Sequence, residues 1–468
     1  MYINGFLNFY IALDIIYDVR RRDSMNLKRI ISVLMVLIVL STVVCFETGA
    51  ASDKMPDLLI GDADGDGVVS IMDSTAIAFH LAKKVPLDEI HQQTAKTDFT
   101  TEVLSVIDAT IIQQKVADID NKDTREVGYP AFLYVNGEYV PAQTEYQRFL
   151  EKLMGIYGLS GVAYASRNGR VMCQSALGMQ NTENNIEMSV DSLFAIGSVS
   201  KQFCATAVLM LQDEGKLSVN DTIDKYFPEY KYGSQITIHE LLCMRSGILD
   251  YANDGDFMHD IFIHDNREDN LNALLNWTLA QDLKSEPDTK WEYSNTNYFL
   301  LSLIVEQVSG MSYYDFMKAQ IFEPLSMNNT GFYDEMVSDE RLAEMVMYDG
   351  IDIFAPVGFG QGDGDIVSNA HDMDLWLTAM SDGVLLSEES FKMMTTNYSG
   401  VHNYGYGINV DKHEKYSHSG HIPTYVTSVI TYGRENINVF VVSNDAIKAT
   451  IEEIDIKMMA QQLANKIR

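Results

Sequence analysis

An α/β domain preceded by a small all-α unit is the fold predicted for this sequence, and two observations predict it. Strand patterns stand at both ends of residues 142–468 with mainly helical patterns between them, which indicates one α/β domain whose termini meet in a shared sheet. Before that region, an Asp-Gly-rich loop and the helix pattern after it are followed by a degenerate second copy. The chain has 468 residues, 46% of them apolar, which is enough for two or more packed units.

The charge and the cysteine content exclude several classes of protein. The formal net charge is −32, and so acidic a surface repels phosphate backbones, which argues against nucleic-acid binding. Four cysteines are too few for a disulfide-based scaffold in a chain of this length. Cys173, Cys204 and Cys243 are expected to be buried, inert thiols, since two of them stand in apolar helical segments.

Residues 25–51 have the pattern of a secretory signal peptide. Lys28 and Arg29 precede the apolar run Ile30–Phe46, and small residues follow it. We therefore expect Met25 to be the true start, residues 1–24 to be an upstream extension of the gene prediction, and the mature protein to be secreted. The alternative is an uncleaved membrane anchor, although the run is short for a span of about 20 residues. In that case this segment is the expected membrane contact.

Residues 62–73, with the sequence DADGDGVVSIMD, predict a calcium-binding loop. Calcium takes six to eight oxygen ligands, and Gly67 permits the sharp turn that brings the later ligands back to the ion. The alternative is an Asp-Gly turn cluster on a solvated loop. The expected ligands of this structural Ca²⁺, with Val68 contributing its backbone carbonyl, are Asp62, Asp64, Asp66, Val68, Ser70 and Asp73.

The loop and the helix pattern after it recur once further along the chain. Such a short internal repeat indicates two copies of one supersecondary unit. The second copy has Thr97, Phe99 and Thr101 at the first three ligand positions, so we expect it to hold calcium poorly or not at all. The identical pairs that define the repeat are Val68/Val103, Ser70/Ser105, Asp73/Asp108, Thr75/Thr110, Ile77/Ile112 and Ala82/Ala117.

Residues 57–121 resemble a type I dockerin, because the calcium loop ends in Asp, is followed by one helix and is duplicated. Members of that family bind cohesin modules of scaffold proteins and so recruit enzymes into cellulosomes. The resemblance implies a cohesin partner, contacted through Ile71 and Met72 or through Val106 and Ile107. The alternative is that these four residues belong to the core, although exposed apolar pairs suit an interface.

Strand and helix patterns define the large region after a polar linker. Hairpins are predicted around Asn136-Gly137, within the linker segment 122–141, and around Asn168-Gly169, because Asn-Gly is a favoured type I′ turn pair. The other elements expected are strands over 426–432 and 437–442 and helices over 144–159 and 445–467.

Ser198 and Lys201 form an S-x-x-K pair at the start of the apolar stretch Gln202–Gly215, which has a helical pattern. Residues three apart lie on one helix face, so the serine hydroxyl and the lysine amine can meet. The positive end of the helix dipole stabilises negative charge that develops on a serine there. Burial disfavours the charged form of a lysine, so a buried lysine can act as a base. The alternative is a helix cap beside a solvated lysine, because an isolated S-x-x-K is common by chance.

Two further motifs, Tyr293-Ser-Asn295 and His418-Ser419-Gly420, follow the S-x-x-K pair in the chain. With the segments WEYSNTNYFLLSLIVEQVSG, IFEPLSMNNTGF and ITIHELLCMRSGI, they resemble the serine β-lactamase and penicillin-binding-protein superfamily. The resemblance covers residues 142–468 and is to the branch of class C β-lactamases, D-Ala-D-Ala carboxypeptidases and related esterases. It implies an α/β (α+β) fold, with an antiparallel sheet flanked by helices and a helical subdomain.

The resemblance also implies a role for each motif residue. Ser198 is the nucleophile that forms an acyl-enzyme, and Lys201 is its activating partner. Tyr293 passes protons to the leaving group and from the hydrolytic water, and Asn295 hydrogen-bonds the substrate amide. The backbone N–H groups of Ser198 and His421 make the oxyanion hole, where a missing donor typically costs about 10²–10³ in rate. No cofactor is expected to take part in catalysis.

Two departures from the family pattern concern the substrate. His418 stands where many members carry Lys, and that variant occurs in peptidase and esterase members, which weakens the antibiotic-hydrolysis interpretation. A histidine is only partly charged near pH 7, so its hold on a substrate carboxylate is expected to depend on pH. His421 and Thr424 stand where Gly is usual, and two bulkier residues predict a narrower or differently shaped pocket.

Other candidate sites are weaker. His239-Glu240-Leu-Leu-Cys243 lacks the second His of a zinc motif, and core packing explains its cysteine. Asp363 and Asp365, in and after the glycine-rich stretch Gly358–Gly364, would repel a phosphate. That stretch resembles the family's glycine loop, with Ser368 expected to cap the following helix. The histidines expected to be ordinary surface residues are His371, His402 and His413.

Together these patterns predict a secreted, cellulosome-associated serine hydrolase that works through an acyl-Ser198 intermediate. Its substrate is expected to be a small ester or a D-amino-acid-containing peptide. One alternative is a β-lactamase that hydrolyses β-lactam antibiotics. Another is a binding module that keeps the penicillin-recognising fold without activity, although the presence of all three motifs argues against it.

Overall fold

The structure, a computed structural model, describes residues 58–59, 63, 69, 73–74, 76–77, 112, 130–135, 138–141, 145–261, 266–346, 360–422, 425–445 and 456–468. The predicted signal peptide and the extension before it lie outside these residues. In the part of the chain that is described, no helix combines the length and the apolarity that crossing a membrane requires. The other residues with a predicted role that lie outside the described part of the chain are Asp62, Asp64, Asp66, Val68, Ser70, Ile71, Met72, Val106, Ile107 and Thr424.

The chain divides into two compact units, Met1–Ala142 and Gln143–Arg468. The first contains an antiparallel sheet of strands β1 (Leu58–Leu59), β2 (Pro130–Val135) and β3 (Glu138–Pro141). Val135 lies opposite Glu138 in the β2–β3 pair, which confirms the hairpin predicted around Asn136-Gly137. The prediction of an all-α first unit is wrong at β1, which lies within residues 57–121 and pairs with β2. The sequence pattern does not predict this strand, because two residues have no periodicity to detect.

A small hydrophobic cluster in the first unit joins the two copies of the repeat. Ala63, Ile77 and Ile112 are buried together, and Ile77 and Ile112 hold the same position in the two copies. The buried carboxylate of Asp73 accepts a hydrogen bond from the backbone N–H of Ala63 at 2.7 Å. This bond links the end of the predicted calcium loop to its beginning.

The second unit is built from strands and helices in mixed order. Its strands are β4 (Gly161–Arg167), β5 (Arg170–Leu177), β6 (Met179–Asn181), β7 (Ile186–Glu187), β8 (Phe194–Ala195), β9 (Gly331–Phe332), β10 (Ile366–Ser368), β11 (Asn409–Asp411), β12 (Lys415–Ile422), β13 (Tyr425–Tyr432) and β14 (Ile437–Ser443). Its helices are α1 (Glu145–Tyr157), α2 (Ser200–Asp213), α3 (Ile238–Leu242), α4 (Gly255–Ile261), α5 (Arg267–Ala280), α6 (Asn295–Ser309), α7 (Tyr313–Met317), α8 (Tyr333–Met336), α9 (Ala370–Asp382), α10 (Glu388–Met394) and α11 (Ile456–Ile467).

The main sheet has the strand order β11-β12-β13-β14-β4-β5, and neighbouring strands in it are antiparallel. Strand β14 pairs with β4, with Val441 opposite Ala163, which confirms that the two ends of the domain share one sheet. The hairpin predicted at Asn168-Gly169 is also confirmed. Both residues have positive φ, 52° and 73°, as a type I′ turn requires.

Different helices cover the two faces of this sheet, because successive side chains along a strand point to opposite sides. Ala163 and Ala165 of β4 lie in a core with α1 and α11, whereas Val162 and Tyr164 lie in the larger core on the other side. Helix α1 confirms the helix predicted over 144–159. The helix predicted over 445–467 is described from Ile456 onward. Buried residues of α1 that form its apolar stripe are Tyr146, Leu150, Leu153 and Met154.

Helix α2 runs through the larger core and is buried on almost every side. A helix in such a place is apolar over most of its circumference, and the stretch FCATAVLML supplies this, with Lys201 as the buried exception. Helix α6 packs along it and is apolar over most of its length. These two helices lie side by side in the larger core.

Helix α9 begins one residue later than predicted. Asn369 is its N-cap, and the Asn369 side-chain oxygen accepts the backbone N–H of Asp372 at 3.0 Å. Ser368 instead pairs with Phe194 in the β10–β8 ladder, and its hydroxyl hydrogen-bonds that of Thr330 at 2.8 Å. The prediction of Ser368 as the cap is therefore wrong, because its hydroxyl bonds to Thr330 while the Asn369 side chain accepts the N–H of Asp372.

Candidate active site

Ser198 lies partly exposed in a tight 3₁₀ turn immediately before α2. Gly197 has a φ of 55°, and a Cβ on it would lie 2.9 Å from the backbone nitrogen of His421. A Cβ on Gly420 would lie 1.9 Å from the carbonyl oxygen of Ile196. Strand β12 therefore packs directly on the backbone of the turn. This contact brings the N–H of His421 beside the Ser198 segment, where the oxyanion hole is expected.

Strand β12 carries the whole third motif. Ser419 lies partly exposed opposite Ser428 of β13, and His421 lies opposite Val426. The His421 side chain is exposed at the end of the strand. Gly420 is buried against the turn. The backbones of β12 and of the turn approach so closely there that only a residue without a Cβ fits.

The Lys201 amine is fully buried at the centre of the site. Its Nζ lies 3.0 Å from Ser198 Oγ, 2.8 Å from Asn295 Oδ1 and 2.7 Å from the backbone oxygen of Asp363. As an ammonium group the lysine donates to all three oxygens, which offsets part of the cost of burying a charge. As a neutral amine it donates to the two carbonyl oxygens, which can only accept, and its lone pair faces the serine hydroxyl.

Asn295 is the first residue of α6, and both ends of its amide are engaged. Its Oδ1 accepts from Lys201, and its Nδ2 donates to the Asp250 carboxylate at 3.1 Å to Oδ1 and 3.2 Å to Oδ2. The resemblance implies that Asn295 binds the substrate amide, but here its side-chain atoms already have partners within the protein. No motif marks Asp250, because it comes from a loop distant from α6 in the chain.

The glycine-rich stretch presents a carbonyl oxygen to the site. Gly360 and Gly362 have positive φ of 82° and 81°, and a Cβ on Gly362 would lie 2.7 Å from the backbone oxygen of Tyr298. This tight turn directs the backbone carbonyl of Asp363 toward Lys201. Sequence reasoning considered Asp363 only as an obstacle to phosphate and missed this backbone contact, which side-chain chemistry does not signal.

The Asp363 side chain is buried beneath the site and accepts a hydrogen bond from the Tyr251 hydroxyl. Burial raises the pKa of Asp363 to about 6, although the charge of Lys201 opposes that shift. Asp365, two residues on, is also buried, and burial together with the charge of Asp363 raises its pKa. The floor of the site therefore contains two carboxyl groups that resist ionisation.

Aromatic side chains form one wall of the site. Tyr293 is partly buried, with its ring centre 5.0 Å from Lys201 Nζ. The ring of Tyr404 meets that of Tyr293 edge-on at 6.3 Å, and Trp291 lies at the same centre-to-centre distance from Tyr293. His402 is exposed, as predicted, but its ring stacks on Trp291 at 4.2 Å. We call Trp291, Tyr293, His402 and Tyr404 the aromatic wall.

His418 is buried and neutral. Its Nδ1 lies 2.7 Å from the carbonyl oxygen of Ser419, so Nδ1 carries the proton and donates it, and Nε2 accepts from the Tyr404 hydroxyl at 3.1 Å. Burial, reinforced by the charge of Lys201, lowers the pKa of His418 to about 3. The prediction that His418 is partly charged near pH 7 is therefore wrong, because the sequence does not reveal this burial.

The H-E-x-x-C segment forms a helix start and no metal site. Thr237 and Glu240 make a reciprocal capping box at the beginning of α3, and His239 Nδ1 lies 2.6 Å from the Tyr406 hydroxyl. Within the described ranges, no group of three or more His, Cys, Asp or Glu residues is arranged to hold a metal ion. Burial raises the pKa of the Cys243 thiol to about 12. The cysteines that are buried, as predicted, are Cys173, Cys204 and Cys243.

The second unit is similar to known proteins. Residues 146–464 match the sequence profile of the family described as Beta-lactamase. Penicillin-binding protein 4* of Bacillus subtilis (strain 168) is 30% identical over 324 residues, which cover 61% of this chain and 68% of that protein. Teichoic acid D-alanine hydrolase of Staphylococcus aureus is 23% identical over 347 residues, 72% of this chain and 80% of that one. The crystal structure of D-amino acid amidase from Ochrobactrum anthropi SV3 is 23% identical in sequence and has a TM-score of 0.57. The match covers 69% of this chain and 97% of that one.

Proposed function

The chain belongs to the beta-lactamase family of serine hydrolases, and we propose that it hydrolyses an ester or amide of a D-amino acid through an acyl-Ser198 intermediate. The names of two relatives support this substrate class. One is a hydrolase of teichoic acid D-alanine, and the other is an amidase of D-amino acids.

The observation that carries the proposal is the 3.0 Å contact between Lys201 Nζ and Ser198 Oγ. A serine hydroxyl is a weak nucleophile until a nearby base accepts its proton. Asn295 Oδ1 and the Asp363 carbonyl oxygen take two amine hydrogens, so the remaining direction at nitrogen points at Ser198. The arrangement therefore supplies a base that is already aimed at the nucleophile.

The proposed reaction has two halves. Ser198 Oγ attacks the substrate carbonyl carbon while its proton passes to the Lys201 amine, and the developing oxyanion meets the N–H groups of Ser198 and His421. The intermediate then collapses, the bond to the leaving group breaks, and Tyr293 supplies the proton that the leaving group needs. In the second half water attacks the acyl-Ser198 ester and gives a proton to the Tyr293 oxygen. The bond between the acyl carbon and Ser198 Oγ then breaks, and Lys201 returns its proton to Oγ, which releases the acid and restores all three side chains.

His418 bears on which substrates suit this site. It is neutral at physiological pH, and the Lys201 amine is held by its three partners. Among the described side chains around Ser198, none offers a free positive charge to a substrate carboxylate. We therefore propose that acyl donors without a carboxylate at this position react better than penicillins, which carry one.

A panel of chromogenic substrates tests the proposed function. Wild type is expected to hydrolyse D-alanine p-nitroanilide or a D-alanyl ester with kcat/KM at least about 10-fold above the L-isomer and above nitrocefin, a difference of about 1.4 kcal/mol in transition-state binding. Ser198→Ala should reduce the rate to background. Ser338→Ala, at an exposed serine outside the site, is the matched control. Faster turnover of nitrocefin than of the D-alanyl substrates, or an active Ser198→Ala, would contradict the proposal.

We also propose that the protein is exported and that its first unit binds calcium and docks on a cohesin module. Two contacts support a folded loop and a paired repeat: the Asp73 carboxylate accepts from the N–H of Ala63, and Ile77 packs with Ile112. Asp73 is the one expected calcium ligand among the described residues, and Ca²⁺ prefers carboxylate oxygens such as those of its side chain.

Retention of the full chain on an immobilised cohesin tests the docking proposal. Retention should require calcium and disappear with EGTA or in Asp62→Ala/Asp64→Ala. Thr97→Ala is the matched control, since the second loop is not expected to bind the ion. Retention that persists in EGTA would refute the proposal.

N-terminal sequencing of secreted protein should give a start within residues 49–53, and a start before Ile30 would refute cleavage.

A further inference from the structure

Asp250 is a residue outside the three motifs whose carboxylate contacts the catalytic site through Asn295. Its Oδ1 accepts the backbone N–H of Asn295 at 3.1 Å, and both oxygens accept from Asn295 Nδ2. It also accepts the N–H of Ala252 at 3.2 Å and Nδ2 of Asn253 at 3.1 Å. The carboxylate thus faces donors and holds the start of α6.

The loop that carries Asp250 is tied to the first turn of α6. The hydroxyl of Thr296 donates to the carbonyl oxygen of Leu249 at 2.7 Å and accepts the N–H of Tyr251 at 3.1 Å. These bonds bracket Asp250 on both sides along the chain. The position of its carboxylate relative to Asn295 is therefore set by backbone contacts.

The chemistry of a carboxylate decides which way the Asn295 amide points. An ionised carboxylate only accepts hydrogen bonds, so it turns the NH₂ end of the amide toward itself and the oxygen end toward Lys201. A reversed amide would direct its NH₂ group at Lys201 Nζ. That group would clash with an ammonium, or it would donate to the lone pair that a neutral amine must direct at Ser198.

We infer that Asp250 is a positioning residue for catalysis. It holds the Asn295 amide with Oδ1 toward Lys201 and in this way directs the lysine at Ser198. The inference rests on the proposed role of Ser198 as nucleophile, but it does not depend on which acyl group the enzyme accepts.

The rate at which a fluorophosphonate labels Ser198 tests the inference, because this probe requires only the activated serine. Asp250→Asn, which keeps shape but supplies a donor, should lower the labelling rate about 10- to 100-fold, the scale expected for a misdirected catalytic group. The swap Asp250→Asn/Asn295→Asp should recover part of the loss, because a carboxylate at position 295 also favours the protonated form of the Lys201 amine. In the swap the introduced amide donates to the introduced carboxylate, which again turns an oxygen to Lys201.

Asn253→Ala is the matched control, since it removes an exposed donor to Asp250 and leaves the bonds between Asp250 and Asn295 in place. It should label within about two-fold of wild type, as surface changes usually do. An Asp250→Asn variant that labels as fast as wild type overturns the inference. So does a slow Asp250→Asn whose loss is not recovered in a folded swap, because a purely structural role predicts that result. If Asp250→Asn does not fold, Asn295→Asp alone should label more slowly than the swap, and the reverse order overturns the inference. Failure on D-alanyl substrates alone leaves this labelling test intact.

Discussion

Lys201 and His418 lie in the same buried site, and their hydrogen-bond partners differ in kind. Lys201 Nζ meets three oxygen atoms, which suit a group that donates. His418 gives its one proton to a backbone carbonyl and uses its other nitrogen as an acceptor for Tyr404. Burial and the neighbouring charge of Lys201 disfavour a second proton on His418, so the site favours the neutral ring.

This argument predicts how His418 affects stability at acid pH. Its pKa is about 3 in the folded protein and 6.5 without the fold, so between these values the unfolded chain binds more protons and stability falls as pH falls. The loss is about 1.4 kcal/mol per pH unit, or about 3 kcal/mol from pH 7 to 4.5. His418→Asn should lack this part of the loss, measured by urea unfolding at the two pH values. Asp363 is present in both proteins and cancels in the comparison. Equal losses would contradict the prediction.

Gly420→Ala should disable the site, because the new Cβ would lie 1.9 Å from the carbonyl oxygen of Ile196. Strand β12 must then move away from the turn that carries Ser198, and a shift of about 1 Å costs on the order of 10²-fold in rate. The measurement is the rate of Ser198 labelling by a fluorophosphonate.

The matched control for that substitution is Gly155→Ala in α1. A Cβ at Gly155 has no atom within 4 Å, so the change should leave labelling intact and raise the free energy of unfolding by about 0.5–1 kcal/mol. A Gly420→Ala variant that labels at half the wild-type rate or faster would show that the close approach is dispensable.

At the level of single elements, the start of α9 shows how a helix boundary is decided. Both Ser368 and Asn369 are good caps by residue type. Ser368 is the last residue of β10 and pairs with β8, and Asn369 is the N-cap of the helix. Because α9 packs against the main sheet, its first turn also supports the larger core.

Asn369→Ala should lower the free energy of unfolding by about 1 kcal/mol, because the N–H of Asp372 loses its acceptor. Asn369→Asp keeps a side-chain oxygen at the cap and should differ little from wild type. Urea unfolding monitored by circular dichroism measures both. If the two variants are equally stable, the cap bond contributes nothing.

Across the whole molecule, the residues of the site come from distant parts of one unit. Ser198, Lys201, Asp250, Asn295, Asp363 and His418 all lie within Gln143–Arg468. The pairing of β14 with β4 closes the sheet between the two ends of that unit, and α1 and α11 cover its outer face. The fold and the site thus belong to the same unit.

Residues 143–468 expressed alone should therefore fold and keep kcat/KM within about two-fold of the full chain, as expected of a unit with its own core. Removing 456–468 as well should prevent folding, because the core beneath α11 would be exposed. Solubility, circular dichroism and p-nitrophenyl ester hydrolysis check both statements. An inactive 143–468 fragment would show that the first unit is needed for activity.

The elements whose signals lie within a few residues were predictable. The hairpin at Asn168-Gly169, helix α1 and the strand pair β13–β14 follow the expected patterns, because turn chemistry and side-chain periodicity act locally. The two-residue strands β8 and β9 carry no such pattern, and the sheet that they form with β10 was not predictable for that reason.

The sequence alone identified three motifs, because each is a short run of residue types with a known chemistry. They are Ser198-x-x-Lys201, Tyr293-x-Asn295 and His418-x-Gly420. The partners of Lys201 at Asp363, the hold of Asp250 on Asn295 and the neutrality of His418 were decided by tertiary structure alone. Each of these depends on burial and on distances of about 3 Å between residues far apart in the chain, and those quantities exist only after folding.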